Sequence, residues 1–146
     1  MFFGTYNHTI DAKGRTSLPA RLREALAAAG EPRIALLRNP HSRSILALPQ
    51  SVWTQLTRSV MTTSPFDALT QRSVLKFVAS AHEVDLDVHG RVLVPPALRD
   101  WAGLAKDVVW VGMGPHIQLF DQAAYEAEMA REIAPGEVVD FFKAKA

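Results

Sequence analysis

The chain has no cysteine among its 146 residues. That excludes a disulfide framework and thiolate chemistry, and it suits a reducing cytoplasm, where we expect the protein to work. No apolar run approaches the roughly 20 residues of a membrane span, so no membrane partner is expected. Residues Met1 to Ile10 lack a basic start followed by a long apolar run, so no signal peptide is expected either. There is no Gly-rich phosphate loop, nucleophile elbow or paired-carboxylate motif, and the five histidines are scattered. We therefore expect no enzyme, no cofactor and no small-molecule substrate. An excess of one charge sign is also missing, with 16 Lys/Arg against 15 Asp/Glu.

What the chain does contain is one short stretch used twice. Asp11-Ala12-Lys13-Gly14-Arg15-Thr16-Ser17-Leu18-Pro19-Ala20-Arg21-Leu22-Arg23 recurs, 76 residues on and without a gap, as Asp87-Val88-His89-Gly90-Arg91-Val92-Leu93-Val94-Pro95-Pro96-Ala97-Leu98-Arg99. The Asp, Gly, first Arg, Pro, Leu and last Arg are identical. Two copies are too few for a solenoid. The expectation is one pseudo-two-fold domain with the copies packed together, and the length suffices for a real core.

Each copy reads as strand, polar turn ending in Arg, strand and short helix. Asp starts turns by bonding the backbone ahead of it, and Gly supplies positive φ. Val84, Leu86 and Val88 alternate with Glu83, Asp85, Asp87 and His89, as in a half-buried strand. Pro19 and Pro95 mark helix starts. Further along, strands are predicted at 2–10, 33–38, 45–48, 107–111 and 117–120. Helices are predicted at 19–29, from Pro49 with Val52, Trp53, Leu56 and Val60 on one stripe, at 97–104, and at 121–131. Between the copies a helix from Pro65 to about Ala79 is predicted, capped by Ser64 with Asp67 three residues on. It packs on the copies or at a subunit interface. Residues 133–146 fray or dock; the pattern does not decide.

Charge is uneven along the chain. Residues 1–50 carry seven Lys/Arg and three Asp/Glu, and the remainder nine against twelve. Lys13 and Arg15 flank Gly14 at a turn, with Arg21 and Arg23 at the start of the next helix. A hairpin can enter the major groove, and the Arg fork matches O6 and N7 of guanine. Arg91 holds the same place in the second turn, but among Asp85, Asp87 and His89, a surface that repels phosphate unless His89 is charged. The structural alternative is that Asp11–Arg15 and Asp87–Arg91 pair across their turns, worth about 0–1 kcal/mol each. Arg23 and Arg99 are expected to pair or to lie along the protein surface rather than touch bases. A metal held by Asp85, Asp87 and His89 would need ligands from a second element, and none is apparent.

The opening Met1-Phe2-Phe3-Gly4, the two Asp-x-x-Gly-Arg turns, Pro19 to Arg23, and Pro95 with Leu98-Arg99 together resemble the MraZ family. The resemblance runs from Met1 to about Arg131. It implies a mainly β fold with short helices, in which two tandem swapped-hairpin units of SpoVT-AbrB type form one pseudo-two-fold double-split β-barrel. It divides the chain into a first repeat (1–60), a helical connector (61–80), a second repeat (81–132) and a tail (133–146). It implies a nucleoid-associated transcriptional regulator. Its partners would be double-stranded DNA, as short direct repeats upstream of its own operon of division and cell-wall genes, and other copies of itself in a closed ring. Lys13, Gly14, Arg15, Arg21 and Arg91 are the expected DNA-binding residues, with Arg15 foremost. The other class left open is an interaction protein whose turns bind a polypeptide, as superfamily antitoxins do.

Overall fold

The two Asp-x-x-Gly-Arg stretches fold as the same turn. In the computed structural model, which describes residues 1–146, Asp11 N–H donates to Arg15 O at 2.9 Å and Gly14 N–H to Asp11 O at 3.0 Å. The second copy repeats both bonds, Asp87 to Arg91 at 2.9 Å and Gly90 to Asp87 at 3.0 Å. Gly14 and Gly90 take φ of +91° and +75°, a region that side chains with a Cβ rarely enter.

Eight strands and six helices follow. The strands are β1 (Thr5–Thr9), β2 (Arg15–Ser17), β3 (Ile34–Arg38), β4 (Ile45–Pro49), β5 (His82–Val84), β6 (Arg91–Leu93), β7 (Asp107–Gly112) and β8 (Ile117–Asp121). The helices are α1 (Ala20–Ala28), α2 (Gln50–Met61), α3 (Ala68–Lys76), α4 (Pro96–Ala102), α5 (Gln122–Ala130) and α6 (Pro135–Lys145), with a 3-10 turn at Val78–Ser80. Pro19 and Pro95 cap α1 and α4 at φ of −52° and −59°, angles that proline's ring prefers.

The turns do not lead into hairpins of their own. Beyond a single bridge from Ile10 to Thr16, β1 leaves β2 and pairs with β7, while β5 pairs with β3. Each copy's first strand thus lies against the other copy's sheet. β2 pairs with β6, and Thr16 stands opposite Val92, its own counterpart 76 residues away. The flanking bonds are reciprocal: Leu18 N–H donates to Gly90 O at 3.0 Å, and Val94 N–H to Gly14 O at 2.7 Å.

The large sheet is antiparallel with the order β1-β7-β8-β4-β3-β5, and β2-β6 is a separate ribbon. The expected antiparallel β architecture with short helices is present. A closed barrel is not found, because β1 and β5 remain edges and the three-residue ribbon strands are too short to join them. Both copies supply the core. Leu18, Leu22 and Leu26 meet their counterparts Val94, Leu98 and Ala102, over sheet residues such as Leu36, Ile45, Trp110 and Leu119.

The structure sets four details that the sequence left open or placed differently. The α2 stripe is half-buried at Val52, Trp53 and Val60 and exposed at Leu56, where α2 lies against β3 and β4. Asp67, not Ser64, caps α3, accepting from Thr70 N–H at 2.8 Å, so the helix starts at Ala68. Val88 does not continue the apolar face of β5: the strand ends at Val84 and Val88 is exposed at the turn. Residues 135–145 form a helix, α6, with no buried residue.

The turns set a stability order for glycine substitution. A Cβ at Gly14 would lie 2.8 Å from Val94 O and 2.8 Å from Arg99 Nε, and Val94 is held in place because its N–H makes the cross-copy bond to Gly14 O. The atoms nearest a Cβ at Gly90 belong to the Arg23 side chain, which can shift. Gly30, at φ +68°, has nothing within 4 Å. In urea melts, Gly30→Ala should cost the left-handed strain alone, about 1–2 kcal/mol. Gly14→Ala should cost a further ~1–3 kcal/mol for the clash, with Gly90→Ala between them.

Candidate nucleic-acid interface

The β2–β6 ribbon has a dry face and a wet one. Thr16 and Val92 point into the core, each 1% exposed. Side chains alternate across a strand, so Arg15, Ser17, Leu93 and Arg91 share the outer face. Arg15 lies opposite Leu93, and Arg91 opposite Ser17. The two arginines are therefore diagonal neighbours, separated by roughly 7 Å along the strands and 5 Å across them. Their turns lie at opposite ends of the ribbon.

Each arginine is held by the aspartate of its own turn. Asp11 Oδ1 accepts the backbone N–H of Lys13 and of Arg15, both at 2.9 Å, and Oδ2 accepts Arg15 Nε at 2.7 Å. Asp87 does the same with His89 (2.8 Å), Arg91 N–H (2.9 Å) and Arg91 Nε (2.8 Å). The pairing foreseen as the structural alternative is present in both copies. It occupies only Nε, however. The terminal nitrogens of both forks bond to nothing in the chain, and both side chains remain about one-third exposed. The three bonds hold Asp87 down to about 2, the Arg91 backbone N–H contributing most, and lower Asp11 through the equivalent Arg15 N–H.

The remaining candidates sit around this ribbon. Lys13 is exposed at the first turn, and Arg21 is exposed on the first turn of α1; neither has an ion-pair partner. Gly14 is buried and serves by geometry alone.

The last arginine of each copy does something the sequence does not announce. Arg99 crosses to lie over Gly14, with Nη1 donating to Ala12 O at 3.4 Å, and Arg23 crosses to lie over Gly90. Instead of pairing, they cover the other copy's turn. Their identity in both copies is the signal, since only glycine leaves room for the guanidinium. His8 lies near Arg23, and its pKa is lowered by burial and then by that charge.

This changes the reading of the second turn. Asp85 pairs with Arg33 at 3.2 Å and Asp87 with Arg91, while Arg23 adds a positive charge. The turn is not the acidic surface expected from its own residues. The two aspartates face different arginines, and no group of three His, Asp or Glu is placed to hold a metal.

A family model described as "MraZ protein, putative antitoxin-like" matches residues 1–76 and 77–135. A protein of Anaeromyxobacter dehalogenans named transcriptional regulator MraZ is 71% identical over 143 residues, 98% of this chain and 99% of that one. Proteins of the same name from Delftia acidovorans and Burkholderia cenocepacia are 39% and 41% identical, covering 97% and 93% of this chain and 99% and 93% of their own. The chain belongs to the MraZ family. The boundary between its two MraZ segments falls at the end of α3, so each segment contributes one turn, one ribbon strand and one covering arginine.

The Asp87 turn gives this MraZ chain a defined response to acid. Its folded-state pKa lies below the usual 3.8, so the turn's stabilisation is complete above that value and is lost as pH falls through about 2. Asp87→Asn keeps an oxygen acceptor but cannot titrate. The gap between wild-type and Asp87→Asn urea midpoints should be constant near neutrality and shrink between about pH 4 and pH 2. A gap that stays constant throughout would show that the carboxylate does not stabilise the turn.

Proposed function

We propose that this MraZ protein is a sequence-specific DNA-binding transcriptional regulator of the division and cell-wall gene cluster, reading short direct repeats upstream of its own operon. The shared name of its relatives supports regulation of transcription. The reading of DNA rests on one observation: Arg15 and Arg91 share the outer face of a two-stranded ribbon, each fixed at Nε and open at its terminal nitrogens. A two-stranded ribbon fits the major groove, and a fork held from behind is already oriented for guanine O6 and N7. Lys13 and Arg21 hold phosphates on either side, and Gly14 lets the backbone make the turn.

The finer fold belongs to the same proposal. The two copies are read as swapped-hairpin units about a pseudo-two-fold axis passing between Thr16 and Val92, in repeats 1–60 and 81–132 joined by 61–80 and followed by a tail at 133–146. One such unit engages few phosphates. Each contributes a salt slope of about −0.9, and a handful gives weak binding. Assembly into a closed homo-oligomeric ring raises the effective concentration of the remaining ribbons once one has bound. The protein then works at the nucleoid, in the cytoplasm.

The test is fluorescence anisotropy with labelled DNA from upstream of the protein's gene, with scrambled DNA as control, across a salt series. Arg15→Ala should weaken binding to the upstream DNA by at least about tenfold, the worth of one bidentate base contact. Asp11→Asn, which keeps the turn's backbone acceptor but releases the Arg15 fork, should weaken binding by less than Arg15→Ala does, because the guanidinium remains. If Asp11→Asn loses binding as Arg15→Ala does, Arg15 only holds its turn. If neither variant differs from wild type, the ribbon is not the reader, and a polypeptide partner becomes the reading to pursue.

A further inference from the structure

Two apolar surfaces of the chain are left uncovered, and they are unlike each other. The first is a groove of about 860 Å³ between α2 and α3, lined by Val60, Met61, Pro65, Ala68, Val74 and Leu75, with Arg72 among them. Met61, Leu75 and the neighbouring Phe66 and Leu69 are all exposed. The second is α6, where Val138, Val139, Phe141 and Phe142 are exposed and the two phenylalanine rings meet edge to face at 5.3 Å. Apolar helix faces of this size are usually covered by something.

The charges beside the two apolar surfaces differ in sign: Arg72 lines the groove, while Glu137 and Asp140 flank the apolar residues of α6, and Lys143 and Lys145 follow at its end. Residues 50–80 hold Arg58, Arg72 and Lys76 against Asp67 alone. Residues 122–146 hold Glu126, Glu128, Glu132, Glu137 and Asp140 against Arg131, Lys143 and Lys145. Every residue of α6 is exposed, so α6 does not occupy the groove of its own chain.

We propose that α6 of one chain seats its Val138–Phe142 face in the α2–α3 groove of a second copy, with Glu137 and Asp140 near Arg72 of the groove lining. The contact joins two different surfaces, so each bound copy still offers a free groove or a free α6. Such heterologous contacts propagate and end in a ring when the rotation closes. This inference rests on the self-assembly proposed above and names the surfaces that make it.

Two variants at exposed positions test it, each checked for its fold by circular dichroism. Leu75→Asp spoils the groove and leaves α6 intact. Phe142→Asp spoils α6 and leaves the groove intact. By light scattering, wild type should run as a multiple of 16.1 kDa, and each variant alone should run as a monomer. Mixed one to one, the variants should form a species of twice that mass, because one intact groove and one intact α6 remain to meet. Variants that keep the wild-type mass would overturn this contact while leaving self-assembly standing. A mixture that stays monomeric would show that groove and α6 do not bind each other. A monomeric wild type would remove both this inference and the ring.

Discussion

Neither copy of the repeat can satisfy its own backbone. The turn at Gly14 exposes a carbonyl that only Val94 N–H reaches, and the turn at Gly90 exposes one that only Leu18 N–H reaches. Leu18 and Val94 are both fully buried, where an unpaired N–H costs about 1–3 kcal/mol. Each copy therefore needs the other for its hydrogen bonds as well as its apolar burial. Exchange of β1 and β5 between sheets follows from this, as does the ribbon that sets Arg15 and Arg91 on one face.

The same constraint explains the charges. Crossing of the chains carries Arg23 and Arg99 over the opposite turns, where their Cβ-less neighbours leave space. Asp11 and Asp87 then balance a crowded set of guanidinium groups while bonding only one nitrogen of each partner. As surface ion pairs these add little stability. On the proposed reading their larger effect is on orientation, because a tethered fork loses less side-chain freedom when it meets a ligand. Structural and functional readings of the Asp–Arg pair are thus one arrangement seen from its two sides.

Much of this was legible in the sequence, and the failures share a cause. The offset of 76 exposed the repeat, glycine and aspartate exposed the turns, and proline exposed the helix starts, since all are local signals. Which strand pairs with which was not legible, because β1 meets β7 across about a hundred residues. The acidic appearance of the second turn misled for the same reason: Arg23 and Arg33, which compensate it, come from the first copy. The α2 stripe was apolar as read, but periodicity does not report how deeply such a face is covered, and Leu56 is exposed while Val52, Trp53 and Val60 are half-buried. Ser64 and Asp67 differ only in which one the α3 backbone meets first.

The two ends of the ribbon are related but not equal, and on the proposed reading that inequality matters. The first turn offers Lys13 and is followed by Arg21; at the matching places the second has His89 and Ala97. A reader with identical ends would have no preference between the two orientations of a site and would suit a palindrome. Here Lys13 stands at the Gly14 end, whereas Arg21 follows Leu18, whose N–H meets Gly90 O at the end bearing His89, so the two ends carry different charges and each ribbon has a direction on the duplex. Copies arranged head to tail, as contact between unlike surfaces requires, present their ribbons in one sense around the assembly. Direction in the ribbon and direction in the assembly then agree, and both select repeats that point the same way along the DNA.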